Sequence, residues 1–363
     1  MRKIYFLILL VSGLLFSQES KETTAIDIDY ARGNILPHTN EIHHLISGHP
    51  EGVLVSFSRQ THGGKEWERV YGNPDYGMYF LYQDFKNQFL GKSYALGAHY
   101  NFYFLNRNLM FKMASGLAMT TNPYDKESNS KNGAMGSKFM GNINLMLAYK
   151  KENIIDKFGA QAGLLFTHFS NGRIKSPNSG INTYNINLGV NYNLDEPVKR
   201  ALDTIPVNLK FNEPVRYNFV LRTGFNESSV AGSGQFPFYH VGFYADKRVN
   251  RKSAWQLGTE IFFSDFYKEY IRYRAIAFPE ENIDPDTDYK RVGVFAGHEL
   301  FINRLSLELQ VGYYVYEPYK DDIPFYDRLG LKYYLSKKIF TGISLKTHLF
   351  VAEALEFVIG ARI

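Results

Sequence analysis

The sequence predicts an all-β chain closing into a transmembrane, antiparallel up-and-down β-barrel of about 14 strands, with roughly 12 to 16 compatible. Three observations carry this. From about residue 76 onward, segments of about ten residues place an apolar side chain at every second position, with turn-forming stretches between them. The chain holds 27 Tyr and 29 Phe but no Cys, a composition that suits a surface half in lipid and half in water and rules out a disulfide framework. The last alternating segment, Leu355 to Ile363, runs to the final residue. A soluble sandwich also alternates, and the aromatic content together with the leader described next favours the barrel.

Met1-Arg2-Lys3 is followed by an apolar stretch from Ile4 to Phe16, then Ser17-Gln18. This pattern reads as a secretory signal peptide over residues 1–17, too short to span a bilayer. Its removal lowers the net charge from +5 to +3, a balance that argues against a nucleic-acid partner. Residues 18–363 read as a single barrel domain of the bacterial outer membrane, with 18–52 open to being an N-terminal extension. In that stretch Thr24 to Tyr30 and Val53 to Phe57 alternate, while His38, His43, His44 and His49 lack a metal-ligand spacing.

The strands beyond it can be phased one by one. Phe139, Ile143, Leu145, Leu147 and Tyr149 oppose Asn142 and Asn144. Tyr217, Phe219 and Leu221 oppose Arg216, Asn218 and Arg222, and Leu305 to Tyr313 at odd positions oppose Ser306, Glu308 and Gln310. Leu329, Leu331 and Tyr333 oppose Arg328, Gly330 and Lys332, and Leu355, Phe357 and Ile359 oppose Glu356 and Gly360. The polar set is expected in the lumen, with Glu260, Glu299 and Glu308 paired to Arg216, Arg222, Arg328 and Lys332, or else lining a pore. His99, His240 and His348 fall among interior polar groups. Connections alternate between short (105–109, 149–153, 301–304, 335–338) and long (120–136, 226–234, 264–289, 316–325), which sets the short turns at the periplasmic end. Residues 194–213 break this rule as a long connection at the turn end.

One segment carries chemistry. Phe158 to Ser170 places Phe158, Ala160, Ala162, Leu164, Phe166, His168 and Ser170 on its apolar face, and the returning strand puts Asn182 in phase with Tyr184, Ile186 and Leu188. A base and a hydroxyl two residues apart on a strand share a face. His168, Ser170 and Asn182 are therefore expected on the outside of the barrel at its outer end. In a hydrolytic reading His168 is the base, Ser170 the nucleophile and Asn182 the acceptor that orients the imidazole. Main-chain N–H groups at Asn171 and Gly172, with the Asn171 or Asn178 amide, would receive the oxyanion. Arg173 and Lys175 are candidates for contact with lipid phosphates, or are solvated loop charges.

The run His168-Phe169-Ser170-Asn171-Gly172, followed by Pro177-Asn178-Ser179-Gly180-Ile181 and Tyr184, resembles the active-site segment of the lipid A 3-O-deacylases, PagL-type acyloxyacyl hydrolases. The resemblance spans about residues 139 to 192. It implies an outer-membrane barrel that removes an ester-linked acyl chain from lipopolysaccharide. That family carries a glutamate where Asn182 stands. An asparagine twelve residues after the serine is similar instead to the outer-membrane phospholipases A, which makes phospholipid the alternative substrate. In a triad adapted to a charged third member, an Asp to Asn change lowers turnover by about ten-thousandfold, so Asn182 implies a site built around a neutral partner. No metal or cofactor is expected, with calcium, which the phospholipases use, as the alternative. A non-enzymatic porin-like or structural barrel is the contrasting reading, and a homodimer is compatible with either.

Overall fold

The computed structural model describes residues 22–363 apart from 197, 199–210, 322 and 350. The leader read at residues 1–17 lies outside the described residues. Among the described residues sixteen antiparallel strands form, and they close twice rather than once. The first barrel consists of β1 (Thr23–Ile35), β2 (Glu51–Gln60), β3 (Asp75–Asp84), β4 (Lys92–Phe104), β5 (Leu109–Thr120), β6 (Phe139–Ile155), β7 (Phe158–Ser170) and β8 (Ile181–Asn193). The second consists of β9 (Arg216–Asn226), β10 (Phe236–Arg248), β11 (Ser253–Ser264), β12 (Arg291–Ile302), β13 (Leu305–Tyr316), β14 (Phe325–Tyr334), β15 (Ile339–His348) and β16 (Val351–Arg362).

The single domain expected over 18–363 is thus replaced by two closed units. Closure of the first depends on β1, which pairs with β2 on one side and with β8 on the other, from Ala25 opposite Asn193 to Ile35 opposite Thr183. The described part of the stretch read as a possible extension, from residue 22 on, supplies the strand that seals the sheet, Thr23–Ile35. Once β8 meets β1 no edge remains for β9 to extend. The chain must start a new sheet, and the long turn-end connection after Asn193 is where it does so. Phe357 to Arg362 on β16 pair back with β9 to seal the second barrel.

Outward and inward faces follow the alternation. Leu164, Ile186 and Leu188 are exposed on the first barrel and Leu309, Val311 and Phe357 on the second, which is the apolar wall a hydrocarbon environment requires. An eight-stranded barrel is just wide enough for its own side chains. In the first lumen Lys150 Nζ lies 2.8 Å from Asp27, and Gln161 Nε2 donates to Asp29 at 2.7 Å. In the second, Arg328 bonds Glu260 at 2.8 Å and Glu356 at 2.7 Å, Arg222 bonds Glu260 and Glu308, and Lys332 bonds Glu299. These side chains are buried. The interior-pair reading holds over the pore reading for the described residues, with Arg216 as the exception, being exposed at the turn end of β9. His99 bonds Ser58, His240 bonds Glu356 and Ser264, and His348 bonds Tyr314, all as interior network members.

The two barrels touch at both ends. At the turn end Tyr71 donates to the Phe301 carbonyl at 2.5 Å, Lys252 sits over the Tyr71 ring, and Glu66, which opens the short helix α1 (Glu66–Val70), pairs with Arg251. At the loop end the β7–β8 loop meets the β9–β10 loop and the helix α2 (Asp265–Ala277) that follows β11.

Candidate functional site

The β7–β8 register sets His168 directly opposite Asn182. Facing residues on antiparallel strands hold their Cβ atoms about 5 Å apart, close enough for an imidazole and a carboxamide to meet. They do: His168 Nδ1 and Asn182 Oδ1 are 2.6 Å apart. A carboxamide oxygen only accepts, so Nδ1 carries the proton and Nε2 is left with its lone pair free. His168, Ser170 and Asn182 are all half-buried on the outward phase, whereas Phe169, between the first two, and Thr183, next to Asn182, point inward and are buried. The phase read from the sequence is the one observed.

Ser170 ends β7, and the chain turns at once. Gly172 and Arg173 both have φ of 64°, a left-handed conformation that costs an L-residue about 1–2 kcal/mol and glycine almost nothing. That turn aims the Gly172 N–H back at Ser170 Oγ, 3.0 Å away. Asn178 returns on the far side of the loop. Its Oδ1 accepts from the Asn171 main-chain N–H at 2.9 Å, which fixes the amide so that Nδ2 faces Ser170 Oγ at 3.0 Å. Gly172 N and Asn178 Nδ2 therefore converge on the serine oxygen. In this resting arrangement Ser170 Oγ is bonded to those two residues.

The Asn171 side chain serves elsewhere. Its Nδ2 donates to Ser137 Oγ at 3.0 Å and to the Lys175 carbonyl at 2.7 Å, so the amide is committed to holding the loop rather than facing the serine. This corrects the expectation of an Asn171 amide at the oxyanion. Gly180, with φ of 71°, closes the loop where a Cβ would sit 3.3 Å from His168 Cε1 and 3.1 Å from the Phe169 carbonyl. Arg173 lies 5.8 Å from the centre of the Phe266 ring on α2, and Lys175 is exposed.

Several residues at this end were missed in the sequence. His38 Nε2 meets the Ser179 carbonyl at 2.9 Å, Glu41 accepts from Ser179 Oγ at 2.6 Å, and Gly133 and Ala134 carbonyls accept from Ser179 and Gly180. Glu227 reaches in from the second barrel to accept from Ser176 N at 2.7 Å. No local signal marks them, since each acts through long-range loop packing. Among the described residues no three His, Asp or Glu side chains are grouped to hold a metal ion. Glu41 and Glu227, which reach this loop, are both engaged in hydrogen bonds to it.

Residues 51–191, nearly all of the first barrel, match the family model for lipid A 3-O-deacylase (PagL). Residues 215–363, the whole of the second, match the model for the acyloxyacyl hydrolase, C-terminal domain. The chain belongs to the lipid A 3-O-deacylase family. The boundary between the two matches falls in the connection that separates the two barrels, so the deacylase module carries His168, Ser170 and Asn182 and the C-terminal module carries none of them. No curated protein sequence matches the chain. Among solved structures, a doubly substituted mutant of Rh. blastica porin shows 7% identity, covering 94% of this chain and 98% of that one, at a TM-score of 0.20. CdiB from Acinetobacter baumannii shows 10% identity over 96% and 61% of the two chains, also at 0.20. A deletion mutant of the TodX monoaromatic hydrocarbon channel shows 9% identity over 94% and 87%, at 0.18. Superpositions this loose carry no argument about the deacylase.

Proposed function

We propose that the protein is a serine esterase of the bacterial outer membrane that removes an ester-linked acyl chain from lipid A. The observation that carries the reading is the His168–Asn182 pair at 2.6 Å with Ser170 two residues on, all facing outward from the wall of the deacylase module. Ser170 Oγ attacks the ester carbonyl while His168 Nε2 takes its proton. Asn182 holds Nδ1–H and so keeps the ring in the tautomer that leaves Nε2 basic. The tetrahedral oxyanion is received by Gly172 N–H and Asn178 Nδ2, the two donors already directed at the serine. Proton return from His168 expels the alcohol, and water then releases the fatty acid by the same route in reverse.

An outward site suits a substrate anchored in a bilayer. The acyl chain stays in hydrocarbon along Leu164, Phe166, Tyr184 and Ile186, and only its ester reaches Ser170. Lifting such a chain into a lumen would expose methylenes at about 0.8 kcal/mol each. Among the described residues the lumens of both barrels are filled with buried, ion-paired side chains, which favours an enzyme over the water-filled channel of a porin. Exposed Lys175, with Arg173 beside it, is set to meet the lipid's phosphates. The Asn182 acceptor is the feature shared with the phospholipases A, so phospholipid is the second substrate to test.

Mass spectrometry of lipid A and phospholipids from cells expressing wild type or Ser170→Ala decides between these. Loss of one hydroxyacyl chain from lipid A only with the serine present is the expected result. Lysophospholipid instead would transfer the activity to phospholipid, and unchanged lipids in both strains would refute the esterase.

A further inference from the structure

We infer that the second barrel positions the loop that carries the oxyanion donors, and that Glu227 on the β9–β10 loop is the positioning residue. The inference rests on the reading of Ser170 as nucleophile. Residues 172–176 run directly from the serine, and the second barrel fastens them almost one by one. Gly172 lies against Leu345 and Leu355 of β15 and β16, so closely that an added Cβ would come within 2.8 Å of Leu355 Cβ. The Arg173 carbonyl accepts from Glu227 N at 3.1 Å, and the Ile174 carbonyl from Gln235 Nε2 at 2.7 Å. Ser176 donates its N–H to Glu227 Oε2 at 2.7 Å and its hydroxyl to the Ser228 carbonyl at 2.6 Å.

Glu227 is the pivot. Its side chain is 2% exposed, and its two oxygens are shared between the modules, Oε2 on Ser176 N and Oε1 on Gly234 N at 3.1 Å. Both partners are neutral main-chain groups. A buried carboxylate is tolerated only where such bonds compensate it, and bonds to a charged acceptor are roughly twice as strong as neutral ones. Glu227 therefore ties its own loop to the serine loop more firmly than a neutral side chain would. The first barrel holds the other half of that loop through Glu41, Gly133 and Ala134 at Ser179 and Gly180. Gly172 N lies in the stretch held by the second barrel and Asn178 Nδ2 between the two anchorages, so their convergence on Ser170 Oγ depends on both barrels being in place. This gives the C-terminal module a role in catalysis without a catalytic residue of its own.

The test uses the full chain in detergent micelles with lipid A as substrate, comparing Glu227→Ala, Glu227→Gln, Gln235→Ala and Ser170→Ala. Deacylation supplies kcat and KM, and hydrogen–deuterium exchange reports on the amides of residues 171–178 and, separately, on the strands. Glu227→Ala is expected to lower kcat by about tenfold to a hundredfold, the cost of small misplacements at a reacting centre, with KM within about twofold. Exchange in 171–178 should rise while the strands stay protected, and Glu227→Gln, which keeps one acceptor, should fall between. Gln235→Ala, at an exposed position, gives the same signature on a smaller scale if Glu227→Ala does not fold. Wild-type exchange in 171–178, or loosened exchange with kcat unchanged, overturns the inference. Full activity in Ser170→Ala overturns the serine reading instead, and the exchange data then decide the clamp by themselves.

Discussion

Replacing Asn182 isolates what a neutral third member contributes. In Asn182→Ala the His168 Nδ1–H loses the acceptor now 2.6 Å away. That bond becomes charge-assisted when the imidazolium forms, and such bonds contribute about 1.5–3 kcal/mol. At about 1.4 kcal/mol per tenfold, kcat should fall roughly 10- to 150-fold with little change in KM. Asn182→Asp keeps an oxygen at the same place and adds a charge. The gain is the difference between a neutral and a charged acceptor, about 1–1.5 kcal/mol, or roughly a fivefold to tenfold rise in kcat. The Asp variant also removes the amide NH2, whose rotation toward Nδ1 would favour the unproductive tautomer. Steady-state deacylation of lipid A in mixed micelles measures all three forms. An Asn182→Ala enzyme within about threefold of wild type would refute the orienting role, and with it the assignment of His168 as an Nε2 base.

Two further outcomes follow from the packing. Gly172→Ala places a Cβ at φ of 64° and 2.8 Å from Leu355 Cβ, so kcat should fall at least tenfold while the strands keep their protection in hydrogen exchange, about 1–2 kcal/mol coming from the backbone conformation alone. Glu260→Ala removes the carboxylate shared by Arg222 and Arg328 in the second lumen. It should lower the stability of that barrel by about 3–5 kcal/mol, the usual cost of stranding buried charge, read as a shift in the urea unfolding midpoint in micelles.

Strand phase was legible in the sequence because one face must meet hydrocarbon and the other must not. Leu305 to Tyr313 and Leu329 to Tyr333 fall outward as read, and Glu308, Arg328 and Lys332 fall inward. Sixteen strands lie at the upper end of the range read from the pattern. Closure was not legible, because alternation records which way a side chain points and not which strand lies beside it. Nothing in Thr23–Ile35 announces that it pairs with Ile181–Asn193. The one clue was the connection after Asn193, long where those after Phe104, Ile155, Arg248, Ile302 and Tyr334 at that end are short. At the site, His168 and Asn182 were legible because a two-strand register is local. Glu227 was not, since it lies 51 residues from Ser176 and serves another module's loop.

Each sealed cylinder begins and finishes at the same rim, and the polypeptide crosses from one to the other only once. Severing that crossing leaves every strand of each piece paired on both sides. The wild-type gene can therefore be divided there into two messages whose products meet again only through their rims. Such a bipartite enzyme would report, by regained turnover, how firmly the neighbours recognise each other without a covalent tether.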